Sequence, residues 1–490
     1  MDNNVTIPAG VSLQAYCPGE GAEGVGGYRC SFSVRNNSTN TWNGPITLHG
    51  ADPALGVTSL FILYAGESGV GRRLAINGNL TVAAGAVTLF PRSFSGSGAL
   101  NRIVNLGTNA LATADNSPWT IGSTGNTWRK AQIGGSGSSL VAGVNNALCV
   151  AAPVRIANGS PANALDLNGF NQQVAGLYSI NGAGAVVRNS STNTESTLKV
   201  FSASAANWGY GGTLANVPGA KALHLDVAGD TLTLTNAGNN YAGTTTIRSG
   251  ATLALVESGN LTASPVIDVH AGGTLDVSGR TTGDYSVPAG TTLKGNDTVN
   301  GSIANAVGTV APGDSIGVLT VTNNVTFSGT DTALMEVNNA TATGDLLNVG
   351  GTLTYGGTLV ITNLCATPYT NNQVLKLFNA ATYGGAFANI VFPGVSSHDP
   401  VNLTVDGTIK VLSVIPTSPT NITFTVLGGN TLQITWPVAY TGWRLEGQTN
   451  SLNVGISNNW FTVPSSSATN AMYLPINSAN PTVFYRLVYP

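Results

Sequence analysis

One short theme recurs from about residue 40 to residue 412: four to six alternating apolar residues, then Gly or Asn beside another small residue, then the next such run. GPITLHG, LAINGNLTVAAGAVTLF, NALDLNGFNQQVAGL, IDVHAGGTLDVSG and GVLTVTNNVTFSG all carry it. Alternation of period two is the pattern of a strand with one buried face, and Gly or Asn reaches positive φ at little cost where the chain must bend. A spacing of roughly 8 to 12 residues between strands suits a sandwich, a barrel or a solenoid equally well. Continuation over roughly 370 residues, with no helical period and no break in composition, favours an all-β fold of the single-stranded parallel β-helix type.

In such a fold the inward residues of successive windings stack at the spacing of paired strands, about 4.8 Å. Leu232 and Leu234 are then expected to point inward and Thr231 and Thr233 outward; Leu253 and Leu255 repeat the pattern against Thr252. Asn77-Gly78, Asn168-Gly169, Asn181-Gly182, Gly272-Gly273 and Asn300-Gly301 are the expected corners. With roughly 20 to 25 residues per winding, the roughly 370 residues of the repeating stretch make a rod on the order of 75 Å long, and the array is expected to span 1–412 with irregular windings over 1–45.

Composition narrows the function. Only 8% of residues are charged, 19 basic against 22 acidic, and they are scattered. No basic stripe is present for a phosphate backbone or an anionic membrane, so nucleic acid is not an expected partner. No apolar run approaches the roughly 18 residues of a spanning helix. The opening residues lack a basic segment followed by an apolar one, and Val5 to Leu13 already reads as strand, so the chain is expected to start within a longer array that once carried an export signal.

The four cysteines, Cys17, Cys30, Cys149 and Cys365, match no zinc spacing, and nothing implies a metal or cofactor. Cys17 and Cys30 flank a Gly-rich stretch and either close a disulfide in an oxidising compartment or remain two small buried thiols.

Near residue 413 the texture changes. VIPTSPTN reads as a linker over 413–420, and residues 421–490 supply about six short strands with Trp436, Trp443 and Trp460. A small β-sandwich similar to a fibronectin type III module is expected there, with the tryptophans packed in it.

Stretch GDTLTLTNAGNNYAGTTTIRSGATLAL, with its Asn-Tyr-x-Gly-Thr-Thr turn, resembles the autotransporter-associated β-strand repeat. NALDLNGFNQQVAGL resembles the preceding unit, and GTVAPGDSIGVLTV with LLNVGGTLTYGGTLVI resembles the downstream part of such passengers; together they cover residues 140 to 365. The resemblance implies a right-handed β-helix secreted by, or held on the surface of, a Gram-negative bacterium as a stalk, adhesin or display scaffold. It implies no reaction. The twelve-stranded translocator barrel usual for that family is not within these residues.

Enzymes also use parallel β-helices, and their chemistry needs carboxylates near a base. Asp268 and His270 share one side of a strand, with Asp276 and Asp284 following within one winding, and they are the candidates for polysaccharide lyase or glycosidase chemistry. The same residues suit plain outward decoration, as do His224 and Asp226 in AKALHLDVAGD and Asp314 in the APGDSIG turn. Trp208 and Tyr210 in ANWGYGG offer an aromatic surface for a sugar ring. Three functions follow: a non-catalytic structural or adhesive protein, a carbohydrate-binding protein, or a polysaccharide-degrading enzyme. Partners would be an extracellular polysaccharide, another protein, or a second copy stacked end to end on an unpaired strand edge.

Overall fold

A computed structural model describes residues 5–16, 29–33, 39–49, 59–64, 73–77, 79–84, 87–92, 97–100, 103–105, 110–113, 118–122, 124–128, 130–134, 137–180, 184–201, 208–304 and 307–489. The described residues are nearly all β; their only helical turns are short, such as Val401–Thr404. No helix among them is long and apolar enough to cross a membrane.

Parallel pairing dominates. In the first half, strands two or three places apart in sequence pair into sheets of nine, seven and four, and in the second half a 21-stranded sheet continues them. Each strand pairs with the chain one return later. The return is 35 residues from Thr6 to Thr41, but 21 from Pro118 to Ser139 and 20 from Leu225 to Thr245.

Register is what turns alternation into a core. One buried column runs Gln172, Leu198, Leu225, Thr245 and Ile267. It continues through Leu293, Val310, Ala333 and Leu359, and ends on Ile390. A second column carries Leu232, Leu253, Leu275, Val299, Val321 and Val349. Because the register is in step, every level of this second column is Leu or Val on Leu or Val, each at most 4% exposed. Burying one such side chain is worth about 1.5–3 kcal/mol.

Polar members of the columns are satisfied by their neighbours. Gln172 accepts from Leu148 N at 3.0 Å and donates to Val144 O at 2.8 Å. Thr245 Oγ1 lies 2.5 Å from Tyr241 Oη and 2.9 Å from Ser264 Oγ. The Asn-Tyr-x-Gly-Thr-Thr turn is therefore a buried joint. Tyr241 is 1% exposed, and a Cβ on Gly243 would sit 2.2 Å from Leu223 O, so only glycine lets the chain return this close.

Corners are made where the alternation changes phase. Leu223–Leu234 buries 223, 225 and 227 but then 232 and 234; Asp230, at φ +48°, absorbs the shift and sends the strand onto the next face. Asn168 and Gly169 (φ +48° and +87°), Gly272 (+83°) and Gly301 (+121°) occupy expected corners. Gly78, Asn181 and Gly182 lie outside the described residues.

Parallel pairing ends before residue 412. Val374–Lys376, Val395–Asp399 and Thr408–Val414 form an antiparallel sheet instead. The link from Asp399 to Thr408 is too short for the crossover that a parallel pair needs. Leu403, Ile409 and Val411 are buried in the main core, and Leu403 O accepts from Tyr355 Oη at 2.8 Å, so this sheet closes the end of the columns.

The chain then makes two three-stranded antiparallel sheets, Thr423–Leu427, Thr431–Thr435 and Ala471–Pro475, and Phe461–Thr462, Arg444–Asn450 and Thr482–Val488. Ile434, Trp436, Leu445 and Val463 form their separate small core. Trp443 is buried and donates to Pro416 O at 2.7 Å, pinning the proline segment. Trp460 lies beneath Arg486, whose guanidinium carbon is 4.2 Å from the ring centroid.

Candidate functional site

Outward positions beside the first buried column carry an unusual concentration of charge. The row runs Lys199, Asp226, Thr246, Asp268 and Lys294, each in register with the next. Glu195, His224, Arg248, His270 and Asp314 flank it, so two of the four histidines of the chain lie here. Alternation along Ser196–Phe201, Leu223–Val227 and Val266–Val269 turns these side chains outward while Leu and Val fill the core.

Every carboxylate in this strip meets a cation or an imidazole. Arg248 Nε donates to Asp226 Oδ1 at 2.7 Å; the aspartate is largely covered and the guanidinium half exposed. That hydrogen bond holds Arg248 above its ordinary pKa range. Asp268 Oδ2 lies 3.4 Å from both His270 Nε2 and Lys294 Nζ, and Lys294 also bonds Asp314. Partial burial pulls the Lys294 ammonium down, but Asp314 and Asp268 outweigh it and raise its pKa, while the Lys294 hydrogen bond lowers that of Asp314. His224 Nδ1 accepts from Thr244 N at 2.9 Å, which leaves Nε2 to carry the proton and donate to Glu195 at 3.2 Å.

Two shallow clefts open along this strip and share Arg248. One, about 370 Å³, is lined by Asn171, Glu195, Thr197, His224, Thr244 and Thr246. The other, about 450 Å³, is lined by Lys199, Phe201, His270 and the small residues Ala228, Ser249 and Ala271. A larger depression of about 580 Å³ lies elsewhere, between the two C-terminal sheets. Its wall includes Phe424, Leu432, Ile434 and Tyr485 and has no charged residue, so it has less chemistry to offer than the smaller clefts.

The expected site residues are dispersed. Asp268 and His270 do sit together. Asp276 lies in a different row, paired with Ala254 and Asn300, where Oδ1 accepts from Ser278 N and Oγ and from Asn300 Nδ2. Asp284 belongs to a third row, opposite Ser302. Three strands of one return pair in three separate ladders, so closeness in sequence does not gather these carboxylates. Among the described residues no group of three or more His, Cys, Asp or Glu side chains could hold a metal ion.

Tyr210 corrects the aromatic-platform expectation. It is 0% exposed, stacked in register with Leu234, and its Oη is 3.4 Å from Thr213 O; burial raises its pKa well above the usual phenol range. The backbone of Trp208 pairs with Leu232, while its side chain lies outside the described residues. Cys17 also lies outside them, and of Cys30 only its place opposite Phe61 is described. Cys149 is a buried free thiol and Cys365 a partly exposed one.

Sequence reading missed Lys199, Arg248, Glu195 and Lys294 as a group. The row positions lie 27, 20, 22 and 26 residues apart, and no fixed period finds them. No family model matches the chain, and no curated protein matches it either.

Proposed function

We infer that the protein is a right-handed parallel β-helix with a C-terminal sandwich similar to a fibronectin type III module, and that it acts as a non-catalytic structural or adhesive scaffold outside a Gram-negative cell. The observation that carries this reading is the unbroken register of the buried column from Gln172 to Ile390. Such a column spends its residues on length rather than on a pocket. The resemblance of residues 140 to 365 to autotransporter-associated repeats supports the same reading.

The test has two parts. Small-angle scattering of the purified chain should give a rod on the order of 75 Å long, and incubation with a panel of polysaccharides should release no reducing or unsaturated ends. A globular envelope, or chain cleavage lost on substituting Asp268, would defeat the proposal.

A second reading, carbohydrate binding, is favoured by the paired clefts on the charged strip. Hydroxyl, amide and imidazole groups line one of them, and an exposed ring lies in the other.

A further inference from the structure

The cleft beside Phe201 joins an exposed ring to three basic side chains. Phe201 is 40% exposed, whereas the other aromatic residues described in the parallel region are mostly buried. Lys199 Nζ stands 5.9 Å from its ring centroid and has no carboxylate partner among the described residues. Arg248 spends Nε on Asp226, which leaves its two terminal nitrogens without a hydrogen bond among the described residues. His270 also lines the cleft, and the small residues Ala228, Ser249 and Ala271 complete it.

Three cationic or protonatable groups around an exposed ring, with small residues beside them, suit a ligand that is flat, apolar on one face and anionic at one edge. A hexuronate has that form: C–H bonds on one face of the ring and an equatorial carboxylate. Arg248 can meet the carboxylate with two parallel N–H donors, and Phe201 can carry the C–H face. The adjoining cleft continues past Arg248 with Asn171, Thr197, Thr244, Thr246 and His224, which suit the hydroxyls of a neighbouring sugar, and with Glu195 and Asp226, which require that sugar to be neutral.

We propose that this strip binds an acidic polysaccharide, with a uronate carboxylate held by Lys199, Arg248 and His270, its ring resting on Phe201, and the next sugar in the adjoining cleft. Asp226 and Asp268 border the cations in the same row, so the positive field covers one carboxylate and not a continuous polyanion. A densely sulfated or phosphorylated polymer would meet these aspartates on either side. The proposal rests on the carbohydrate-binding reading and adds the class of sugar.

The test is calorimetric titration of the full chain with an oligosaccharide of alternating glucuronate and N-acetylglucosamine, with the same oligosaccharide after its carboxyls are reduced to alcohols, and with heparin. The alternating oligosaccharide should bind, more weakly as salt rises, and the reduced form should not. Lys199→Ala should cost about tenfold in affinity, and Arg248→Lys, which keeps the charge but loses the fork, a similar factor. Phe201→Ala should cost about fivefold, with melting temperatures of Lys199→Ala and Phe201→Ala unchanged. Equal binding of the reduced oligosaccharide, or affinity untouched by Lys199→Ala, would overturn the uronate assignment and leave carbohydrate binding standing. Heparin binding without binding of the alternating oligosaccharide would overturn it in favour of a sulfate site. Silence toward all three would remove both.

Discussion

Two outward rows on adjacent faces share one geometry and differ in chemistry. One runs Thr231, Thr252, Thr274, Thr298 and Thr320; the other runs Lys199, Asp226, Thr246, Asp268 and Lys294. Both stand over aliphatic columns and both are partly covered. Threonine is what a pleated, half-exposed position favours on its own account, because its branched Cβ fits the strand and its hydroxyl is at ease in water. Charge has no such default. A carboxylate as covered as Asp226 is tolerated because Arg248 lies on it.

The comparison can be broken most forcefully from inside. Leu275→Ala, beneath the threonine row, should cost about 2–5 kcal/mol, as a cavity in a close-packed column does; a denaturant midpoint unchanged by it would mean that the columns are not the source of stability.

Arg248→Ala should cost less, about 1–3 kcal/mol, by leaving Asp226 covered and unpaired. Adding Asp226→Ala should recover part of that loss, a non-additivity read from a double-mutant cycle. No comparable coupling is expected between Thr252 and Thr274.

Acid sharpens the contrast through Asp345. Burial pushes its carboxyl up to about 7, against the opposing pull of hydrogen bonds from Glu336 N and Gly317 N. The folded state thus holds this proton more tightly than the unfolded chain, whose value is near 3.8. Its stabilising contribution is complete below that value and is lost as pH rises through about 7. Thermal melts should fall by about 2–4 °C over that window, and Asp345→Asn should flatten the trend. Asp314, held low by Lys294, works in the opposite sense: its contribution is present above 3.8 and disappears as pH falls below it.

The smallest effect belongs to the threonine row. Thr274→Ala should change stability by no more than about 0.5 kcal/mol. A loss as large as that of Arg248→Ala would erase the distinction between the faces.

Much of the fold could be read from residues alone. Leu232, Leu234, Leu253 and Leu255 are buried and Thr231, Thr233 and Thr252 are not, as period two requires. Asn168-Gly169 and Gly301 bend where small residues permit it, and the six strands after residue 421 match the six apolar runs. Tyr210 was misleading because ANWGYGG is rich in glycine, like an exposed loop, while its register with Leu234 carries the ring inward. The antiparallel sheet ending at Val414 was also illegible, since its strands alternate no differently from parallel ones.

What the amino-acid order decided by itself is local: which residues alternate, which can turn, and therefore that the chain is built of short strands with one apolar side. Only the tertiary structure decided who stands above whom. Each return differs in length, 27 residues from Leu198 to Leu225, 20 to Thr245, and 17 from Leu293 to Val310. Register is set by burying every level of the column at once, and that cooperative choice brings Lys199, Arg248 and His270 around one cleft.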